Sequence, residues 1–276
     1  MRTNLIKTTL VVDEKPTGSI STDGTHDMVI AFDTTGSMYS YLDAVRRHVK
    51  SLIPELLNAN PKMRIGIVAF GDYCDMESSK KFGNAYQVIG LTNDANALIN
   101  FVDTAKRTSG GDSDEFYELV IKKITEESDW REDAVKTVLL IADYTPHEVG
   151  YSYRNIVKNA QIDWREEARK ANEKGIQFDT LSIHGFDWYR ELSEMTNGVY
   201  APFKSDEKTT EAVKMSAYSR GGDATKTLFM ENVRSYAASA DAELNAMSFA
   251  YSKKVSLSKE ELSEINTINS TTTSFI

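Results

Sequence analysis

The chain reads as an α/β protein: a doubly wound, mostly parallel sheet flanked by helices, followed by a helical C-terminal extension. Two observations predict this. From about residue 27 to 203, short apolar runs alternate with longer amphipathic segments, and three of the runs are apolar at nearly every position. A strand buried on one face alternates apolar and polar residues, whereas a parallel strand covered by helices on both faces does not. After about residue 205 the strand-like runs stop and only helical periodicity continues.

In chain order, residues 1–24 read as an edge strand over 5–12 and a polar linker that runs into the core. MVIAF (28–32), RIGIVAF (64–70) and VLLIA (138–142) are the near-continuous runs expected of central strands. AYQVIGL (85–91) is a further strand, and QFDTLSI (177–183) alternates enough to be placed nearer an edge. Met38, Tyr41, Leu42, Val45, Val49, Leu52, Ile53 and Leu56 recur at steps of three and four, one face of a long helix. Phe116, Leu119, Val120 and Ile124 repeat that pattern after Asp112, Asp114 and Glu115, an acidic start suited to the positive end of a helix. A helix from about 162 is expected to end at Gly175 and another, over 187–196, at Asn197 and Gly198. In the extension, Phe229, Val233, Tyr236, Ala237, Ala240, Leu244 and Met247 trace one long apolar face. Ser258 and Glu261 form a capping box ahead of Leu262 and Ile265, and the tail NSTTTSFI reads as frayed. The division is therefore 1–24 as strand and linker, 25–205 as the α/β domain, and 206–276 as extension and tail.

Composition narrows the function. A net charge of -9 argues against nucleic-acid or anionic-lipid partners, both of which need clustered Lys and Arg. No apolar run reaches the roughly 18 residues of a membrane-spanning helix. The first residues lack a secretory pattern, so a cytoplasmic location is expected. The lone Cys74 can form neither an internal disulfide nor a thiolate zinc site.

Ligands of an open α/β sheet bind beyond the carboxyl ends of its strands. Three oxygen-rich segments fall there: DTTGS with Asp33, Thr35 and Ser37, the loop RTSGGDSDE (107–115), and Asp143 after VLLIA. Carboxylates and hydroxyls are hard donors of the kind Mg²⁺ prefers, and Mg²⁺ keeps several waters, so few protein ligands suffice.

DTTGS resembles the D-x-S/T-x-S signature of the metal-ion-dependent adhesion site in von Willebrand factor A-like domains. Gly110-Gly111-Asp112 and Asp143 are similar to that family's second and third loops in order and spacing. IADYTPHE and VAFGDYCD resemble an intracellular subgroup that includes domains attached to atypical alpha-kinases. The resemblance spans about residues 25–205 and implies a protein-binding module rather than an enzyme. It implies that Thr35 and Ser37 bind Mg²⁺ (or Mn²⁺) through their hydroxyls, with Asp33 and Asp143 direct or through water. One position would stay open for a carboxylate of a partner protein. In the second loop Asp112 is the best match, with Thr108, Ser109 and Ser113 close enough to compete. A third carboxylate would make the ion less electrophilic. Tyr39, Gly110, Gly111, Tyr144 and His147 are expected at the rim.

Blander readings stand beside these. Asp33, Thr35 and Asp112 are also residue types that serve as turn residues or helix caps, and His147 also reads as shaping its loop. DTTGS further resembles the nucleophile loop of haloacid dehalogenase-like phosphatases, with Asp33 attacking phosphorus beside Mg²⁺. That family inserts an excursion after the loop and needs a Lys and a second acidic cluster, whereas here a helix follows at once. A single D-T-T-G in an α/β pattern likewise opposes an aspartic protease.

Overall fold

A computed structural model describes residues 23–202, 206–239 and 241–273; the edge strand expected over 5–12 lies outside them. The apolar runs become strands and the amphipathic segments become helices. The elements are β1 (His26–Asp33), α1 (Tyr39–Ala59), β2 (Met63–Phe70), β3 (Tyr86–Thr92), α2 (Ala95–Thr104), β4 (Asp114–Glu115), α3 (Tyr117–Glu127), β5 (Val135–Ala142) and β6 (Thr145–Pro146). They continue with α4 (Trp164–Glu173), β7 (Ile176–Ser182), α5 (Asp187–Met195), β8 (Tyr200–Pro202), α6 (Asp206–Tyr218), α7 (Asp223–Ser239), α8 (Ala242–Ser252) and α9 (Lys259–Thr273).

The main sheet has the order β3-β2-β1-β5-β7-β8, parallel except for β3 against β2. Its strands lack polar alternation because each feeds two cores. Met28, Ile30 and Phe32 of β1 join Leu139 and Ile141 of β5 in one core, with α1, α2 and the helices after β8. Val29 and Ala31 join Val138, Leu140 and Ala142 in the other, under α3, α4 and α5. The C-terminal helices are thus part of the first core: Phe229, Val233, Tyr251 and Ile265 are buried in it. Arg220, just past α6, donates to Asp179 in the middle of β7 from both terminal guanidinium nitrogens, at 2.9 and 2.7 Å. No described helix is long and apolar enough to cross a membrane.

Four details depart from the sequence pattern. The acidic stretch before α3 is not helical: Asp114–Glu115 pairs with Thr145–Pro146 as a second, two-stranded sheet, and the helix starts at Tyr117. The long apolar face of the extension is two helices, because Asp241 accepts from the N–H groups of Glu243 and Leu244 and caps a new start. QFDTLSI lies next to the edge, as expected, but its alternation does not mark an exposed face: Ile176–Ser182 is buried at all seven positions, with β8 outside it. The tail is helical to Thr273, beyond the Ser258–Glu261 capping box that the pattern predicts.

Candidate metal centre

β1 and β5 are neighbours, paired as far as Phe32↔Ile141, so Asp33 and Asp143 emerge side by side at the carboxyl edge. The chain then turns sharply through Thr34 and Thr35 into a short 3-10 turn, Gly36–Met38, before α1. Hydrogen bonds hold that turn. The Asp33 Oδ1 accepts from the Thr35 N–H at 2.7 Å, and its Oδ2 accepts from the Tyr117 hydroxyl at 2.7 Å. Thr34 is spent structurally, donating to the Phe70 carbonyl and contacting the Thr108 hydroxyl at 2.9 Å. The Thr35 and Ser37 hydroxyls lie 3.3 Å apart.

Asp33, Thr35 and Asp143 are buried and Ser37 is exposed at the mouth. A third carboxylate joins them: Glu115, the inward-facing residue of β4, is 3 % exposed, and the Thr35 hydroxyl acts on it as a hydrogen-bonding neighbour. Burial, then the charge of Asp143, pushes the Asp33 carboxyl up to about 7. Burial, then Asp33 and Asp72, pushes Glu115 up to about 11. Burial raises Asp143 as well, opposed by the Ser37 hydroxyl and by His184. The Asp143 Oδ1 and the Glu115 Oε2 are buried without a hydrogen-bond partner. Unpaired buried acceptors are costly, and these two sit among hydroxyls and carboxylates where a hard cation would satisfy them. The donor types fit Mg²⁺ or Mn²⁺, with Thr35, Ser37, Asp33 and Asp143 as the residues able to hold it and Glu115 hydrogen-bonded to the Thr35 hydroxyl.

Asp112, the expected second-loop ligand, is placed elsewhere. It is exposed, accepts from the Tyr151 hydroxyl at 3.0 Å, and groups with Asp72 and His147. Thr108 is buried against Thr34, while the N–H groups of Ser109 and Gly110 are held by Asp75, at 2.8 and 3.1 Å. Gly110 has φ +69, a conformation that favours glycine, and a Cβ there would meet the Glu115 Oε1 at 2.9 Å. Gly111 lies against Cys74. Of the rim residues, Tyr39 is exposed, donates to the Thr108 carbonyl at 2.6 Å and carries Arg107 over its ring. Tyr144 is half-buried in an aromatic group with His184 and Phe186. His147 is buried, its Nε2 2.7 Å from the Asp72 Oδ1. Burial opposes the His147 charge, but Asp72, Glu118 and Asp112 together raise its pKa above the ordinary value.

The sequence pattern missed Glu115, Tyr117 and Asp75. The one available signal was the period: in an extended DE pair one side chain faces in and one out, whereas a helix start puts both at the surface.

Comparison with known proteins agrees with this fold. The family model for the von Willebrand factor type A domain matches residues 27–217. Among curated proteins, an ariadne-like RING finger protein of Acanthamoeba polyphaga mimivirus is 23% identical over 187 residues, covering 62% of this chain and 18% of that protein. The chain therefore spans less than a fifth of the relative's length. Among solved structures, the pilus adhesin SpaC of Lactobacillus rhamnosus GG superposes with a TM-score of 0.55 at 16% identity, over 74% of this chain and 31% of that one. Proximal thread matrix protein 1 of the mussel byssus gives 0.52 at 17% identity, over 71% and 48%. At these identities the structural likeness is one of fold.

Proposed function

Because the chain belongs to the von Willebrand factor type A domain family, we propose that it is a divalent-cation-dependent protein-binding module. Thr35 and Ser37 hold Mg²⁺ or Mn²⁺ through their hydroxyls, Asp33 and Asp143 directly or through water, and Glu115 closes the inner side. The exposed mouth at Ser37 leaves a position for a carboxylate of a partner protein, with Tyr39 and Tyr144 beside it.

One observation carries this reading: two buried carboxylates, Asp143 and Glu115, each with an oxygen lacking a partner, are hydrogen-bonded by the Ser37 and Thr35 hydroxyls, which lie 3.3 Å apart at the end of the central strands. The same geometry supports binding over catalysis. Both oxygens of Asp33 accept hydrogen bonds and the residue is fully buried, a poor setting for a nucleophile that must reach phosphorus. A cytoplasmic setting belongs to the same proposal, consistent with an unpaired Cys74.

The test is calorimetric titration of chelator-treated protein with Mg²⁺ and Mn²⁺. Saturable binding is expected in the wild type and lost in Ser37→Ala, a change at an exposed position that leaves the fold intact. Equal binding by the two proteins would remove the ion from this turn.

A further inference from the structure

A second group of ligand-type side chains stands outside the Asp33 centre. Asp72 follows β2, Asp112 lies in the glycine loop and His147 follows β6, and one donor atom from each lies within 4.8 Å of the other two. We propose that Asp72, Asp112 and His147 form a second cation site, taking a borderline transition ion such as Zn²⁺ through one imidazole nitrogen and two carboxylate oxygens.

The donor set separates this site from the first. Imidazole suits Zn²⁺ and its neighbours, whereas the all-oxygen centre at Asp33 suits Mg²⁺. Three protein ligands with the fourth position open is a recurrent zinc arrangement.

The ligands are also held from behind, as metal ligands are. The Asp72 Oδ2 accepts from the Cys74 N–H, and Asp72 and Asp75 cap the 3-10 turn between them. The backbone N–H of His147 donates to the Glu118 Oε2 at 3.2 Å, which fixes the chain there, and the Tyr151 ring stacks on the imidazole at 3.6 Å between centroids. The Tyr151 hydroxyl orients Asp112. Asp72 and His147 are thus two fixed, buried arms, and Asp112 is a third arm on a loop with glycines at 110 and 111.

Charge supplies an independent argument. Among the described residues, no lysine or arginine forms a salt bridge with Asp72, Asp75, Asp112, Glu115 or Glu118; the one ion-pair partner is His147. At the opposite end of the sheet the buried Asp27 is matched by two arginines, Arg64 and Arg131. Buried carboxylates without a cation are unfavourable. A dication between Asp72 and His147 would take the place of their mutual hydrogen bond and neutralise the group.

The experiment titrates chelator-stripped protein with Zn²⁺ in excess Mg²⁺, which keeps the oxygen-only centre filled, and repeats it with Co²⁺ as a spectroscopic probe. One Zn²⁺ per chain is expected in the wild type and in Ser37→Ala. Asp112→Asn, at an exposed position, should weaken zinc binding by more than about tenfold while leaving circular dichroism unchanged. The Co²⁺ spectrum should lose its imidazole-nitrogen signature in His147→Gln. Absence of zinc binding in folded wild type would overturn the proposal, as would zinc binding that Asp112→Asn leaves unchanged. Loss of zinc in Ser37→Ala would assign the ion to the Asp33 centre and equally overturn it. The Mg²⁺ reading stands or falls separately, in the titration without zinc.

Discussion

Asp33 is where burial and function pull in opposite directions. Its carboxyl is pushed from an ordinary 3.8 up to about 7, by burial first and Asp143 second. Between those values the metal-free native state keeps a proton that the unfolded chain has released. The associated stability is complete below the unfolded value and is lost as pH rises through the folded one. Metal-free protein should therefore unfold at lower urea concentration at pH 8 than at pH 5, and Asp33→Asn should reduce that difference, the remainder coming from Glu115 and Glu118, which burial raises in the same direction. Mg²⁺ should restore more stability at pH 8 than at pH 5, since it binds the ionised form. An unchanged slope in Asp33→Asn would remove Asp33 as its source. His26 has the opposite sign: burial, then Arg220, lowers it to about 3, so its contribution is lost as pH falls below 6.5.

At the scale of elements, the strand-to-helix connections decide which carboxylate enters the centre. Asp33 and Asp143 were legible because each directly follows an apolar run, and a strand end fixes where the next residue lies. Glu115 was not, because the pairing of β4 with β6 joins segments thirty residues apart and leaves no local periodicity. Gly198, between α5 and β8, is a similar case. It reads as a helix stop, but a Cβ there would fall 1.8 Å from the Phe178 carbonyl oxygen in β7. Backbone cannot yield as a side-chain tip does, so Gly198→Ala should destabilise by about 2–3 kcal/mol in chemical denaturation. A loss below about 0.5 kcal/mol, the range of ordinary surface changes, would show that the β7–β8 edge adjusts.

Over the whole molecule, the helices after β8 are bound to the sheet rather than appended to it. Arg220 and Asp179 form a buried bidentate pair, and Asp179 also accepts from the Ser216 hydroxyl and the Val199 N–H. Removing the cation leaves an uncompensated carboxylate in the core. Arg220→Met should cost about 3–5 kcal/mol in denaturant unfolding, the range for breaking a buried pair. Loss of the α6–α9 helical signal in a separate, earlier transition would instead mark the extension as an independent unit.

The sequence by itself determined the layer architecture, the family resemblance and the position of the DTTGS turn. These rest on local signals: apolar runs at every position, helical spacing, and a motif contiguous in the chain. Only the tertiary structure decided which second-loop carboxylate faces Asp33, that Asp112 sits with Asp72 and His147, and that the extension shares the core. Each of these depends on contacts between segments far apart in sequence, and no spacing within either segment encodes them.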